Sequence, residues 1–180
     1  MKPRVVITGM GIVAPNAIGL DNFLEAIQQG RSGITFHQKL KDLKFSCCIG
    51  GIPSVSKELK SQYLTSLQLR GFDSAGILYG CIAGMDAWKD AGFKIDKNSS
   101  TDYNSGIVFG TGTSGIEKFR EAIYKLDNNK VKRLGSTVVV QTMTSGISAY
   151  LGGILGLGNQ VTTNSSACIT GTEALLMGYE

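Results

Sequence analysis

Cys168 lies near the end of the 180-residue chain, in the segment NSSACITGTEAL. The polar-alternating residues before it indicate a strand, and the apolar pattern from Thr172 to Tyr179 indicates a helix, so we expect the thiol to open that helix. A thiol at a helix start faces the positive end of the helix dipole, which favours the thiolate. Small neighbours leave room for an acyl group, and the backbone N–H of the cysteine can point at an oxyanion. The segment indicates acyl transfer, although spacing alone leaves a buried, inert cysteine equally compatible.

The other cysteines do not suggest a metal or disulfide site. The spacing of Cys47, Cys48 and Cys81 fits neither a zinc site nor a disulfide framework. No signal peptide opens the chain, so we expect reduced thiols and a cytoplasmic protein. With His37 as the one histidine, a His-rich metal site is excluded, and we predict no metal. Cys81 shares a helix face with apolar residues and is expected in the core.

Two glycine-rich segments could in principle bind phosphates. Gly9-Met-Gly11-Ile-Val-Ala14 approximates a dinucleotide fingerprint, but the next helix cap is delayed to Asp21. The loop from Gly110 to Gly115 lacks the lysine of a P-loop. We favour tight structural loops in both cases, and a nucleotide-binding α/β domain remains an alternative.

The composition indicates a globular protein. Apolar residues make up 42% and charged residues 18%, with a net charge of +4. The Lys and Arg residues are dispersed, which argues against nucleic-acid binding. The longest apolar stretch, 138–158, is interrupted by glycines and hydroxyls, so we predict no membrane span there. We expect it to form a strand end followed by a buried helix.

The order of elements predicts an α/β fold with a mostly parallel sheet. Buried strands are predicted at Arg4–Thr8 and in SGIVFG (105–110), and a polar-alternating strand is predicted in QVTTNSSA (160–167). Helices are predicted at 21–30, 72–93, 116–129, 146–157 and 172–179. The region 31–61 has weak periodicity and is expected to be a surface excursion.

Several segments, taken together and in order, resemble the β-ketoacyl-acyl carrier protein synthases, condensing enzymes of the thiolase-like superfamily. They are RVVITGMGIVAPNAIGLDNFLEAIQQGRSGI, AWKDAGF, SGIVFGTGTSG and VVVQTMTSGISAYLGGILGLGNQVTTNSSAC. The Ser-Ser-Ala-Cys form is closer to synthase I. The RLGS motif and the LGNQVTTNSSAC segment also resemble synthases of aryl polyene clusters.

The resemblance implies a thiolase-like fold in which two similar βαβ halves pack together. Residues 1–180 would form the N-terminal half of the synthase domain, with the C-terminal half absent. It implies a decarboxylative Claisen condensation through an acyl-Cys168 thioester, in fatty acid or polyketide chain elongation. The family's two histidines and its lysine would lie in the missing half, so we expect this chain to be inactive alone. No cofactor is implied beyond the phosphopantetheine arm of the carrier protein.

The resemblance also implies roles for further residues. Met143 would lie near the acyl channel, and Thr113 would reach the partner subunit's acyl pocket and influence chain length. The acidic carrier protein would dock on basic residues. These are Lys130, Lys132, Arg133 and Arg70.

The family resemblance further implies a dimer paired through the strand at about 160–167. The dimer would be a homodimer or a heterodimer with a cysteine-less sister subunit. The alternative within this family is a non-catalytic subunit that shapes a partner's pocket. Cys168 speaks against that alternative because such subunits usually replace the nucleophile.

Overall fold

The computed structural model describes residues 4–65, 68, 73–96 and 100–180. The chain divides into two compact units, each built from separate stretches of sequence. The glycine-loop unit comprises Thr8–Tyr63 and Ile82–Phe93. The cysteine unit, which contains Cys168, comprises Met1–Ile7, Leu64–Cys81 and Lys94–Glu180.

Helices outnumber strands among the described elements. The helices are α1 (Leu20–Gln28), α2 (Gln38–Asp42), α3 (Lys57–Tyr63), α4 (Ala75–Asp90), α5 (Ile116–Asp127), α6 (Val138–Thr142), α7 (Gly146–Leu155) and α8 (Thr170–Tyr179). The strands are β1 (Ile34–Phe36), β2 (Ile49–Gly51), β3 (Ile107–Gly110) and β4 (Val161–Asn164). Two short 3₁₀ turns, Val131–Arg133 and Ala167–Ile169, complete the described elements.

In the glycine-loop unit, the GMGIVA loop lies directly against helix α4. A Cβ placed on Gly9 would be 2.3 Å from the carbonyl oxygen of Ala87. One on Gly11 would be 2.0 Å from the carbonyl oxygen of Ala83. Only glycine allows the two backbones to approach so closely, which confirms the interpretation of this motif as a tight structural loop.

The weakly periodic region 31–61 contains more structure than its pattern predicts. Strands β1 and β2 pair antiparallel, with Ile34 opposite Gly51; helix α2 lies between them in sequence, and helix α3 follows β2. All three residues of β1 are exposed in this structure, in keeping with the predicted surface position. Strands of only three residues are too short to show the alternation by which a strand is recognised.

The cysteine unit is built on the parallel pair β3 and β4, which runs from Ile107 opposite Val161 to Gly110 opposite Asn164. Helices α7 and α8 pack on both strands. The core of the unit is formed by side chains at most 4% exposed, including Ile77, Leu78, Cys81, Ile147 and Leu151. Burying each large aliphatic side chain contributes about 1.5–3 kcal/mol to folding.

The start of helix α4 is capped by side chains from α5 and α6. The Gln141 side-chain oxygen accepts hydrogen bonds from the backbone N–H groups of Asp73 (3.1 Å) and Ser74 (2.9 Å). A Glu117 carboxylate oxygen accepts one from the N–H of Ala75 at 2.9 Å. These acceptors satisfy donors that a helix start otherwise leaves unpaired.

The segment 138–158, expected to begin as a strand end, is helical in both parts. Val138–Thr142 forms α6, because in the helical form Gln141 is directed at the start of α4 and tertiary contact overrides the β preference of valine. The second part, α7, ends at Leu155, where Gly156 takes φ +70°. Within the described ranges, no helix is both long and apolar enough to cross a bilayer.

The strand predicted at Arg4–Thr8 is absent from the structure, where these residues form no ladder. Val5, Val6 and Ile7 are 49%, 58% and 77% exposed, respectively. A β-branched run becomes a strand only when a neighbouring strand satisfies its backbone groups, and among the described residues no strand pairs with residues 4–8.

Burial makes the Cys81 thiol unreactive. It is 0% exposed, and desolvation raises its pKa from 9.0 to about 12. In native protein at pH 8, we expect iodoacetamide to alkylate Cys81 at least about 100-fold more slowly than the exposed Cys47. Peptide mass spectrometry with and without denaturant measures both rates. Equal rates in native protein would contradict the buried position.

The raised pKa of Cys81 also makes the stability of the fold depend on pH. The neutral thiol is favoured in the fold, so its contribution to the free energy of unfolding is complete below the unfolded pKa. It falls as pH rises from about 9 towards 12.

Candidate active site

Cys168 is exposed and occupies the 3₁₀ turn Ala167–Ile169 between strand β4 and helix α8. The strand and the helix were predicted, but α8 begins at Thr170, so the thiol lies in the turn just before the helix instead of in its first residue. Its exposure contradicts the alternative of a buried, inert cysteine. An electrophile can therefore reach the sulfur in this structure.

The residue before the nucleophile has an unusual backbone conformation. Ala167 has φ +50°, a left-handed conformation that costs a non-glycine residue about 1–2 kcal/mol. Thr170, 5% exposed, supports it: its hydroxyl donates to the Ala167 carbonyl at 2.7 Å and accepts from the Ser166 N–H at 2.8 Å. Strained turns at a strand–helix junction are a known way to present a nucleophile.

Glu173, on the first turn of α8, joins residues on either side of this turn. Its carboxylate accepts hydrogen bonds from the Ser166 hydroxyl and from the Asn164 side-chain amide, the latter at 3.0 Å. These two bonds, Ser166 first, lower the pKa of Glu173 below 4.5. The group is therefore ionised at neutral pH.

The predicted site does not include Glu173 or Asn164, and Thr170 enters it only as a small neighbour of Cys168. A signal was present, since Thr170 and Glu173 fit the Ser/Thr-x-x-Glu spacing of helix starts. That spacing predicts where a helix begins, but it does not indicate a hydrogen bond to Asn164.

The glycine loop after β3 lies beside the nucleophile segment. The Ser165 hydroxyl donates to the Gly112 carbonyl at 3.2 Å, and the Thr111 N–H donates to the Asn164 carbonyl at 3.1 Å. A Cβ on Gly110 would be 2.5 Å from the Thr170 carbonyl oxygen, so glycine is required there. The two parallel strands end at the same edge, which brings their following loops together.

The remaining predicted site residues are all exposed where the structure describes them. Thr113 lies in this glycine loop, where its carbonyl accepts from the Thr111 hydroxyl at 2.9 Å. Met143 directly follows helix α6 and is 48% exposed.

The basic residues lie together after helix α5. Lys130, Lys132 and Arg133 are exposed, and Lys132 and Arg133 form the 3₁₀ turn that follows Lys130. Arg70 lies outside the described residues. Within the described residues, hydrogen bonds connect Asn164 and Ser165, just before the Cys168 turn, to the loop that holds Thr113, but to neither Met143 nor these basic residues.

The cysteine unit contains no histidine. The chain's one histidine, His37, belongs to the glycine-loop unit, where its Nε2 lies 3.0 Å from the Gly50 carbonyl oxygen. In the part of the chain that the structure describes, no cluster of three His, Cys, Asp or Glu side chains could hold a metal ion. What the turn can do itself is attack a carbonyl and present backbone N–H groups.

The chain matches a family model over nearly its whole length. Residues 2–180 match the N-terminal domain of β-ketoacyl synthases. A curated relative, the 3-oxoacyl-[acyl-carrier-protein] synthase 2 of Vibrio cholerae, is 30% identical over 114 residues. That alignment covers 63% of this chain and 26% of the relative, so the chain spans about a quarter of the curated relative it matches.

Solved structures have the same fold. A β-ketoacyl synthase from Burkholderia phymatum matches with a TM-score of 0.79 and 24% identity, over 98% of this chain and 42% of that one. A type II polyketide ketosynthase, solved with its acyl-carrier protein, matches with a TM-score of 0.75 and 20% identity, over 98% and 41%.

The chain therefore belongs to the β-ketoacyl synthase family and corresponds to its N-terminal domain. This confirms both the family resemblance and the predicted α/β, thiolase-like fold class. In the described residues, the sheet structure consists of one parallel pair and one separate antiparallel pair.

Proposed function

We propose that this chain carries the nucleophile of a decarboxylating β-ketoacyl-acyl carrier protein synthase. The observation behind the proposal is the exposed Cys168 in a strained strand–helix turn, within a chain that matches the family's N-terminal domain. The reaction elongates an acyl chain by two carbons in fatty acid or polyketide synthesis. The RLGS and LGNQVTTNSSAC segments favour an aryl polyene pathway.

The first half-reaction is acyl transfer. The Cys168 thiolate attacks the thioester carbonyl of an acyl chain held on the phosphopantetheine arm of a carrier protein. A new C–S bond forms, the old one breaks, and phosphopantetheine leaves as a thiolate that takes up the proton released when the Cys168 thiol ionised. The backbone N–H of Cys168 stabilises the oxyanion of the tetrahedral intermediate, and the small side chains of Ser165 and Ser166 leave room for it.

The second half-reaction forms the carbon–carbon bond. Malonyl-carrier protein loses carbon dioxide, and the resulting enolate carbon attacks the acyl-Cys168 carbonyl. The cysteine leaves as a thiolate, which a thiol does more easily than an alcohol. In the family, two histidines and a lysine assist this step, and this chain has a single histidine. We therefore propose that a C-terminal half completes the site, and we call the joined protein the complete synthase.

The proposal is tested by product formation. The complete synthase, given acyl- and malonyl-carrier proteins, is expected to release carbon dioxide and form 3-oxoacyl-carrier protein, and the 180-residue chain alone is expected to form none. Intact-protein mass spectrometry of the carrier protein follows both. No product from the complete synthase would overturn the condensing function, whereas product from the chain alone would overturn the need for a second half.

The proposed partners are an acyl carrier protein and a second synthase subunit. The ketosynthase with a TM-score of 0.75 was solved with its own carrier protein. On this chain, the exposed basic residues Lys130, Lys132 and Arg133 offer charge complementary to an acidic partner, and Arg70 is proposed to add to it. Pairing through the strand at 160–167 would form a homodimer, or a heterodimer with a sister subunit.

Chain length is proposed to depend on Thr113 and Met143. Thr113 is exposed in the glycine loop beside the nucleophile segment, so a larger side chain would take up space at that edge. In the complete synthase, we expect Thr113→Phe to shorten the longest accepted acyl chain and to cut transfer of longer chains about tenfold or more.

The comparison needs a control for the added phenyl ring. Thr35→Phe places the same ring on an exposed strand residue of the glycine-loop unit and is expected to leave chain preference unchanged. Competition between acyl-carrier proteins of different lengths measures the preference. An unaltered preference in Thr113→Phe would remove Thr113 from the acyl pocket.

A non-catalytic subunit that shapes a partner's pocket is the alternative function. It does not need a thiol, whereas this chain exposes Cys168 in the turn before a helix. The alternative of a dinucleotide-binding domain is weakened, because contact with helix α4 already accounts for Gly9 and Gly11.

A further inference from the structure

The turn that carries Cys168 depends on side-chain support. Ala167 holds φ +50°, which an alanine does not adopt without compensation. Thr170 supplies part of this support through hydrogen bonds to Ser166 and Ala167. The Ser166 side chain itself is held from another direction, by Glu173.

The Glu173 carboxylate connects three elements at one point. It extends from α8, accepts from the Ser166 hydroxyl before the turn, and accepts from Asn164 at the end of β4. Hydrogen bonds to an ionised acceptor are about twice as strong as those between neutral groups. The carboxylate thus links the strand, the turn and the helix on both sides of the nucleophile.

Two hydrogen bonds fix the orientation of the Asn164 side-chain amide. Its nitrogen donates to Glu173 at 3.0 Å and to the Thr170 carbonyl at 3.0 Å. Its side-chain oxygen is buried and has no hydrogen-bond partner among the described residues. A buried oxygen without a partner is unfavourable, so the two acceptors, one of them charged, dictate which way the amide faces.

We infer that Glu173 is a positioning residue for Cys168, an inference that rests on the proposed function. Through Ser166 and Asn164, its carboxylate holds the turn in the conformation that aims the thiol and its neighbouring N–H groups at an incoming thioester. It acts by accepting hydrogen bonds and does not touch the reacting atoms.

The first test compares two reactions of Cys168 in the complete synthase. Transfer of an acyl group needs an oriented oxyanion site, whereas alkylation by iodoacetamide does not. Glu173→Ala is expected to slow transfer from acyl-carrier protein by about 10- to 100-fold, as loss of a supporting partner often does. Alkylation should change less than about threefold, because it needs only an accessible thiol.

Matched variants separate hydrogen bonding from charge. Glu173→Gln keeps an oxygen that can accept both bonds and is expected to stay within about fivefold of the unmodified protein. Glu180→Ala removes a carboxylate from the other end of α8 and should leave transfer unchanged. Equal losses in Glu173→Gln and Glu173→Ala would overturn the hydrogen-bonding role.

A double-mutant cycle tests the Ser166 link directly. If Glu173 acts through the Ser166 hydroxyl, adding Ser166→Ala to Glu173→Ala should slow transfer by no more than about twofold further. Fully multiplicative losses would contradict the shared pathway.

Hydrogen exchange distinguishes failure of this inference from failure of the proposed function. The Ser166 N–H, which donates to Thr170, should exchange about tenfold faster or more in Glu173→Ala. Transfer at the normal rate in that variant would overturn the positioning role and leave the function intact. If the unmodified synthase transfers no acyl group, the proposed function is wrong. In that case the exchange rate still tests the positioning role. An unchanged rate at the Ser166 N–H in Glu173→Ala would overturn that role, and a faster rate would support it.

Discussion

Replacement of Cys168 by alanine is expected to abolish acyl transfer to the complete synthase, with a loss of at least about 1000-fold. The reason is chemical: without the thiol, no covalent intermediate forms, and the enolate has no thioester to attack. Intact-protein mass spectrometry after incubation with acyl-carrier protein measures the mass added to the enzyme. The variant should gain none, and the formation of 3-oxoacyl product should stop with it.

The control is a second exposed cysteine. Cys47→Ala removes a thiol that is also exposed but lies in the glycine-loop unit, and it should leave acyl loading unchanged. Both variants should unfold at the temperature of the unmodified protein, since neither thiol is buried. Persistent loading of Cys168→Ala would show that another residue is the nucleophile and would remove the basis of the proposed mechanism.

The nucleophile segment could be predicted because its signals are local. A polar-alternating strand, small residues and an apolar helical pattern follow one another around Cys168, and the structure has β4 and α8 at those places. Helices with clear apolar periodicity, such as α1 and α5, were likewise predicted to within about two residues.

Features that depend on distant partners could not be predicted in this way. Val138–Val140 has a strand-like composition but is helical, since Gln141 caps α4 from this helix. Arg4–Thr8 has the same composition and forms no strand, since strand formation needs a partner that a local pattern does not reveal. Glu173 was missed for the same reason: its partners are Ser166 and Asn164, and the sequence gives no sign of their convergence.

Three glycines of the two glycine-rich motifs are explained by close backbone approach. Gly9 and Gly11 allow one loop to reach α4, and Gly110 allows β3 to reach the start of α8. None of these positions needs a phosphate to explain it. A glycine motif therefore indicates close packing as readily as ligand binding. The two explanations are distinguished by the atoms that a Cβ at each glycine would contact.

The largest stability effect is expected at Gly115, where crowding and backbone conformation act together. Gly115 precedes α5 with φ +64°, and a Cβ there would be 1.8 Å from the carbonyl oxygen of Gln141. The left-handed conformation and the steric overlap together should cost roughly 2–5 kcal/mol in Gly115→Ala. Gln141 also caps the start of α4, so displacing its backbone weakens a third helix.

Gly112→Ala provides the matched control for this prediction. Gly112 lies in the same loop, but a Cβ there would meet nothing within 4 Å, so the change should stay within about 0.5 kcal/mol. Thermal unfolding of the complete synthase measures both, with an expected fall of roughly 2–5 °C for Gly115→Ala and little change for Gly112→Ala. Similar unfolding temperatures for the two variants would show that α5 and α6 are not packed through Gly115 as described. Since the same loop contacts the nucleophile segment through the Gly112 carbonyl, such a result would also weaken the proposed link between this loop and Cys168.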